Sequence, residues 1–229
     1  MTAITPIPAT TTADPPRDPA GDRLRLAHWL SPAFPTGGFA WSQGLETAMA
    51  AGAVRDAATL GAWVSAVLLH GGARTDAILL AHARAAGADT GALDALARAL
   101  APSAERLAET LEQGAAFAAT VAAVTGTPQP ALPYPLAVGH ATRPLALATA
   151  EVVAHYLQAQ AMQLAAAGMR FIPLSQSDGH RVIAAAAALI PSLAEACAAA
   201  TLDDIGTATF GADIAAMAHE TLDVRIFRS

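Results

Sequence analysis

Alanine makes up about a quarter of this chain, and that bias constrains the fold more than any motif in it. Alanine enters a helix at the lowest cost of any residue, and runs of β-branched residues are scarce, so helix is favoured throughout. At 229 residues the length suits one globular domain with a tail better than two full domains. A chain of this size buries about 70% of the surface its unfolded form exposes, so a core forms without disulfides or metal. The single cysteine, Cys197, reads as a small buried apolar group on an alanine-rich helix.

Apolar spacing and helix punctuation divide the chain. Leu24, Leu26, Trp29 and Leu30 open a short amphipathic stretch that stops at Pro32, and a Pro/Gly-rich link runs from Ser31 to Gly38. A second helix is expected from near Ser42 to Ala51, with Gly52 as a left-handed cap. Asp56 is placed to cap the next, where Leu60, Val64, Val67 and Leu68 recur at helical spacing. A further helix follows Gly71-Gly72 and ends at Gly87, and another is marked by Leu93, Leu96 and Leu100 up to Pro102. Ser103 then caps a long helix whose Glu105, Glu109 and Glu112 are expected to face water. Four prolines between Gly126 and Pro135 forbid continuous helix there. A long helix is expected from Pro144 to about Gly168, another capped by Ser177 or Asp178 and kinked or ended by Pro191, and a last one near Ala212 to Thr221. The expectation is an all-α, single-domain bundle of about eight to ten helices spanning residues 22–222, with a disordered leader at 1–21 and a docking tail at 223–229.

Charge excludes several function classes. The 13 basic residues are all arginine against 19 acidic ones, a net charge of −6. Without lysine there is neither Schiff-base chemistry nor a phosphate-loop lysine, and an acidic chain is a poor match for nucleic-acid phosphates or anionic lipid. The mean hydropathy of +0.39 raises the question of a membrane span. Val152 to Met169, 18 residues without Asp, Glu, Lys or Arg, carries His155, Tyr156 and three glutamines and reads as a buried core helix. The leader lacks a basic segment followed by an apolar run, so a cytoplasmic location is expected.

No catalytic arrangement emerges. Glu151 and His155 share a helix face at i, i+4 and could supply two metal ligands, the basis of an alternative reading as a helical metalloenzyme, yet no second pair is found. His219 and Glu220 are adjacent, which points them about 100° apart on a helix. Ser31, Ser42, Ser175 and Ser177 lack a nucleophile elbow, and Gly37-Gly38 reads as a tight turn. Two segments are unusual for plain scaffolding. Leu30 to Glu46 gathers Phe34, Phe39 and Trp41 in a Gly/Pro loop, a composition suited either to folding onto the core or to an aromatic contact surface. The tail Asp223 to Ser229 interleaves Val224, Ile226 and Phe227 with Arg225 and Arg228, the pattern of a segment that becomes ordered by docking.

These residues carry a family resemblance. Leu30 to Glu46 resembles the signature Ser-Pro-x-Phe-Pro-x-Gly-Gly-Phe-x-x-Ser-x-Gly-Leu-Glu of the UreF family of urease accessory proteins. Ile172 to Gly179 is similar to that family's Pro-Leu-[Gly/Ser]-Gln-x-[Asp/Glu]-Gly turn, and Asp213 to Ser229 to its terminus. Pro133, and Asp223-Val224, depart from the pattern. The resemblance implies an all-helical, non-catalytic maturation factor, without cofactor or bound metal of its own. It would dimerise, bind the UreD/UreH accessory protein, and with it recruit the GTPase UreG to apo-urease for nickel insertion. It implies a dimer-contact role for Phe39 and a partner-assembly role for Arg225. Phe34, Phe39 and Trp41 are therefore expected to build the self-association or partner face, and Arg225, Phe227 and Arg228 to order against the UreD/UreH-like partner.

Overall fold

The computed structural model describes residues 18–229, and among these it contains ten α-helices, two short 3-10 turns and no strand. The helices are α1 (Pro19–Trp29), α2 (Leu45–Ala50), α3 (Ala57–His70), α4 (Gly72–Arg84), α5 (Thr90–Ala99), α6 (Ala104–Thr125), α7 (Tyr134–Ala141), α8 (Thr149–Phe171), α9 (Gln176–Ala199) and α10 (Phe210–His219). Of the expected leader, residues 1–17 lie outside the described residues, and residues 19–21 form the first turn of α1, capped by Asp18.

Local chemistry accounts for most boundaries. Asp56 accepts from the Thr59 N–H while Thr59 returns a bond to the cap, a reciprocal capping box at the start of α3. Ser103 caps α6 as expected. The cap of α9 is Ser175, with Asp178 three residues on as its reciprocal partner, in place of the expected Ser177 or Asp178. Pro191 does not end α9, which runs on to Ala199. Helix α2 starts at Leu45 and not near Ser42, because Gln43 and Gly44 both sit at positive φ. Helix α7 was not expected. Pro135 occupies its first turn, where the missing N–H costs nothing, so the proline cluster that forbids one helix also starts another.

Helix α8 is central and packs on α9, α4, α2, α3 and α1. Its Val152, Val153, Tyr156, Leu157, Ala161 and Leu164 are buried, as the uncharged stretch led one to expect. Close approach is secured by glycine: a Cβ on Gly139 of α7 would lie 2.6 Å from the Leu80 carbonyl oxygen of α4. Cys197 is buried on the inner face of α9, and burial pushes its thiol above the ordinary range. A chain of aromatic contacts, Trp29 to Phe117, Phe34 to Phe117, Phe117 to Tyr134 and Tyr134 to Tyr156, runs through the core with ring centroids 5.4–6.2 Å apart. It draws the loop after α1 onto the bundle through Phe34.

Candidate functional site

The segment between α1 and α2 is shaped by backbone conformation before side chains enter. Gly37 (φ 76) starts a 3-10 turn over Gly38–Ala40, and Gln43 (φ 58) and Gly44 (φ 79) turn the chain into α2. A Cβ on Gly44 would meet the Ala216 nitrogen at 2.5 Å, so this glycine lets α10 lie directly on the start of α2. Gln43 uses its unusual backbone to send its amide inward, where Nε2 donates to Glu109 (3.1 Å) and to Gln160 (3.2 Å).

Residues 225–229 close over this loop. Arg228 N–H donates to the Ala40 carbonyl and Ser42 N–H to the Ser229 carbonyl, both at 2.8 Å. Glu46, almost fully buried, accepts from the N–H groups of Ile226 (2.7 Å) and Phe227 (2.9 Å). The Arg228 guanidinium lies 4.3 Å from the Trp41 ring centroid and pairs with Glu112, while Arg170 of α8 lies 4.4 Å from the ring of Phe227 and donates to the Phe39 carbonyl. Arg225 pairs with Glu105 at 2.7 Å. His219 is buried with both ring nitrogens facing carboxylates, Nδ1 to Glu105 at 2.7 Å and Nε2 to Glu46 at 3.0 Å.

The side chains expected to form the contact face therefore separate into two groups. Phe34 (4% exposed), Trp41 (3%) and Phe227 (4%) point into the chain, and what they build directly is the base of the face. The buried aromatic cluster claims Phe34, and the two arginines cover Trp41 and Phe227. Phe39 is 75% exposed, and Arg225 and Arg228 lie at the surface with their charges paired. Sequence reasoning missed the outer face of α10, where Phe210, Ile214 and Met217 stand exposed at i, i+4 and i+7 while Ala215, Ala216 and His219 face inward. That spacing was readable, but a helix drawn from Ala212 leaves Phe210 out. With Val224 and Ile226, six of the ten large exposed apolar side chains of the described residues belong to the loop, α10 and the tail. Concentration of this kind marks an interaction surface.

Glu109 corrects a second expectation. It does not face water: it is buried, and gathers Arg106, Gln113 (2.9 Å), Gln43, Gln163 (3.3 Å) and Ser229 (3.3 Å), while Glu105 is largely covered by His219 and Arg225 and Glu112 alone of the three is exposed. Nearby, Asp76 and Arg106 line a cavity of about 100 Å³ with Thr75, Thr110 and Gln43. Tyr156 donates to Asp76 at 3.0 Å, and burial pushes the Asp76 carboxyl up to about 6 against the opposing pull of Arg106 and that hydrogen bond. The folded state thus holds a proton that the unfolded state has released between about pH 4 and 6. Stability from this group is complete below the ordinary aspartate range and is lost as pH rises through about 6. Asp76→Asn is expected to flatten that part of the pH–stability profile, a change on the order of 2–3 kcal/mol read by urea denaturation at pH 4 and pH 7.

The Glu151 and His155 pair is not assembled into anything larger. Glu151 is held by Arg23 at 2.6 Å, and among the described residues no cluster of three or more His, Cys, Asp and Glu side chains is placed to hold a metal ion. Glu220 turns away from His219 and accepts from the Ala104 N–H at the start of α6.

Comparison with known proteins bears on what such a face serves. A UreF family model matches residues 54–187, more than half of the chain. The chain belongs to the UreF family. A relative from Cereibacter sphaeroides strain KD131 is 57% identical over 206 residues, covering 90% of this chain and 98% of its own length. Relatives from Paracoccus denitrificans strain Pd 1222 (55% identical; 92% and 98% covered) and Jannaschia sp. strain CCS1 (48%; 91% and 95%) align as fully. All three are named urease accessory protein UreF. The UreF-type loop, α10 and tail, separate blocks in the sequence, meet in one place in the fold.

Proposed function

We propose that this UreF-family chain is a non-catalytic scaffold for maturation of nickel urease, acting in the cytoplasm as a homodimer. With a UreD/UreH-type accessory protein it recruits the GTPase UreG to apo-urease, so that GTP hydrolysis is coupled to insertion of the nickel cargo. The observation that carries this reading is the exposed apolar surface of Phe39, α10 and the tail, set on a polar base whose carboxylates are occupied by the chain's own donors. Such groups hold a shape and leave docking as the work of the site.

Self-association is supported by the surroundings of Phe39. This exposed ring stands beside a groove of about 460 Å³ lined by Phe34, Pro35, Met162, Ala166 and Arg170. A projection next to a matching hollow is what a two-fold interface requires, since each copy offers the other both parts. The test is the nickel content of urease from cells lacking this chain and complemented with variants. Wild type is expected to restore nickel-loaded urease. Phe39→Arg is expected to sediment as a monomer and to leave urease nickel-poor. Full nickel loading without the chain would refute the reading.

A further inference from the structure

The cavity between α4 and α6 holds a carboxylate that the fold supplies with no cation. Asp76 and Thr75 of α4 line it with Arg106 and Thr110 of α6, Gln43 of the loop and Asp213 of α10. Tyr156 donates to Asp76 Oδ2 at 3.0 Å, a neutral donor that leaves the charge in place. Arg106 is paired with Glu109 and not with Asp76. The cavity and its wall thus hold one cation, Arg106, against three carboxylates, Asp76, Glu109 and Asp213. The Asp213 carboxylate accepts from the Thr207 hydroxyl at 2.9 Å, and Tyr134 stays neutral, its phenol pushed well up by burial and by Asp76. A sheltered carboxylate in such a setting takes up either a proton or a cation, and the upward displacement of Asp76 against the pull of Arg106 and Tyr156 reflects that demand.

We propose that this cavity binds a small monovalent cation, potassium or ammonium, held by the Asp76 carboxylate and by the side-chain oxygens of Thr75, Thr110 and Gln43. The donor set selects the class. Thr110 accepts the Tyr134 N–H at 3.1 Å and keeps a second lone pair, and Gln43 spends its Nε2 on Glu109 and Gln160, which leaves its amide oxygen as the free end. Oxygen donors suit a hard cation, whereas the nickel cargo of the function proposed above prefers imidazole or thiolate, and neither lines the cavity. One free carboxylate beside a guanidinium opposes a double charge more strongly than a single one, which disfavours magnesium and calcium. A single water needs about 10–15 Å³ of such space, so a cavity of about 100 Å³ has room for an ion that keeps part of its water. The bound ion would tie α4 to α6 next to Glu109. The site is read on the isolated chain and stands apart from the docking function.

The experiment is thermal unfolding of the purified full-length chain at about pH 7.5 in potassium chloride, ammonium chloride or tetramethylammonium chloride at equal ionic strength, the last ion being too large for the cavity. Potassium or ammonium is expected to raise the midpoint by about 3 °C or more over tetramethylammonium, saturating with concentration, and the larger gain identifies the ion. At about pH 5 a proton takes the place of the cation on Asp76, and the gain is expected to shrink. Asp76→Asn is expected to abolish it. Thr75→Val keeps the shape and the charge and removes one ligand, and is expected to raise the half-maximal salt concentration about tenfold. That variant decides the matter should Asp76→Asn fail to fold. Equal midpoints in the three salts, a full gain in Asp76→Asn or at the lower pH, an unchanged half-maximal concentration in Thr75→Val, or a gain seen only with nickel or magnesium chloride would overturn the site.

Discussion

Replacing Glu109 with alanine is expected to destabilise the protein by about 3–5 kcal/mol, the cost of leaving one member of a buried ion pair without its partner. Arg106 is only 13% exposed at its side chain and donates to Glu109, so truncation strands a guanidinium inside the bundle. The same carboxylate gathers Gln43 from the loop, Gln113 from its own helix, Gln163 from α8 and Ser229 from the tail. Loss of Glu109 therefore loosens the base on which the exposed face is built. Partial compensation comes from Asp76, whose carboxyl Glu109 helps to push up; without Glu109 it ionises more readily beside Arg106. The double variant Arg106→Leu with Glu109→Leu removes both charges and is expected to recover most of the loss. Urea denaturation of the two single variants and the double measures the cycle.

The fold was legible where local chemistry decides it. Alanine content and helical spacing pointed to an all-α bundle, and Asp56 and Ser103 cap helices where the sequence put them. Helix α7 escaped because a proline cluster reads as a break, while its last member sits in a first turn where proline is well tolerated. The candidate site was half legible. The loop and tail stood out by composition, yet nothing local distinguishes an aromatic ring in a Gly/Pro loop that packs inward, as Phe34 and Trp41 do, from one that points outward, as Phe39 does. Glu105, Glu109 and Glu112 have the spacing of a solvated helix face. What turns Glu109 inward is a set of polar partners from the loop, α8 and the tail, up to 120 residues away in sequence. Glu46 was visible as the last residue of a motif, but its role depends on two amides that arrive 180 residues later.

The second large effect concerns the surface itself. Phe210, Ile214 and Met217 point away from α2 and carry no part of the core, so exchanging all three for serine is expected to change stability by less than about 1 kcal/mol. Anchor side chains at the centre of an interface each contribute about 2 kcal/mol or more, and every 1.4 kcal/mol is about tenfold in affinity. A triple loss then corresponds to at least about a hundredfold weaker binding. The direct measurement is the affinity of the purified chain and of this triple variant for the cognate UreD/UreH-type accessory protein, by titration calorimetry, with the melting temperature recorded in parallel. A scaffold that works through this face gives tight binding for the wild type and at least a hundredfold loss at unchanged melting temperature for the variant; equal affinities would contradict it.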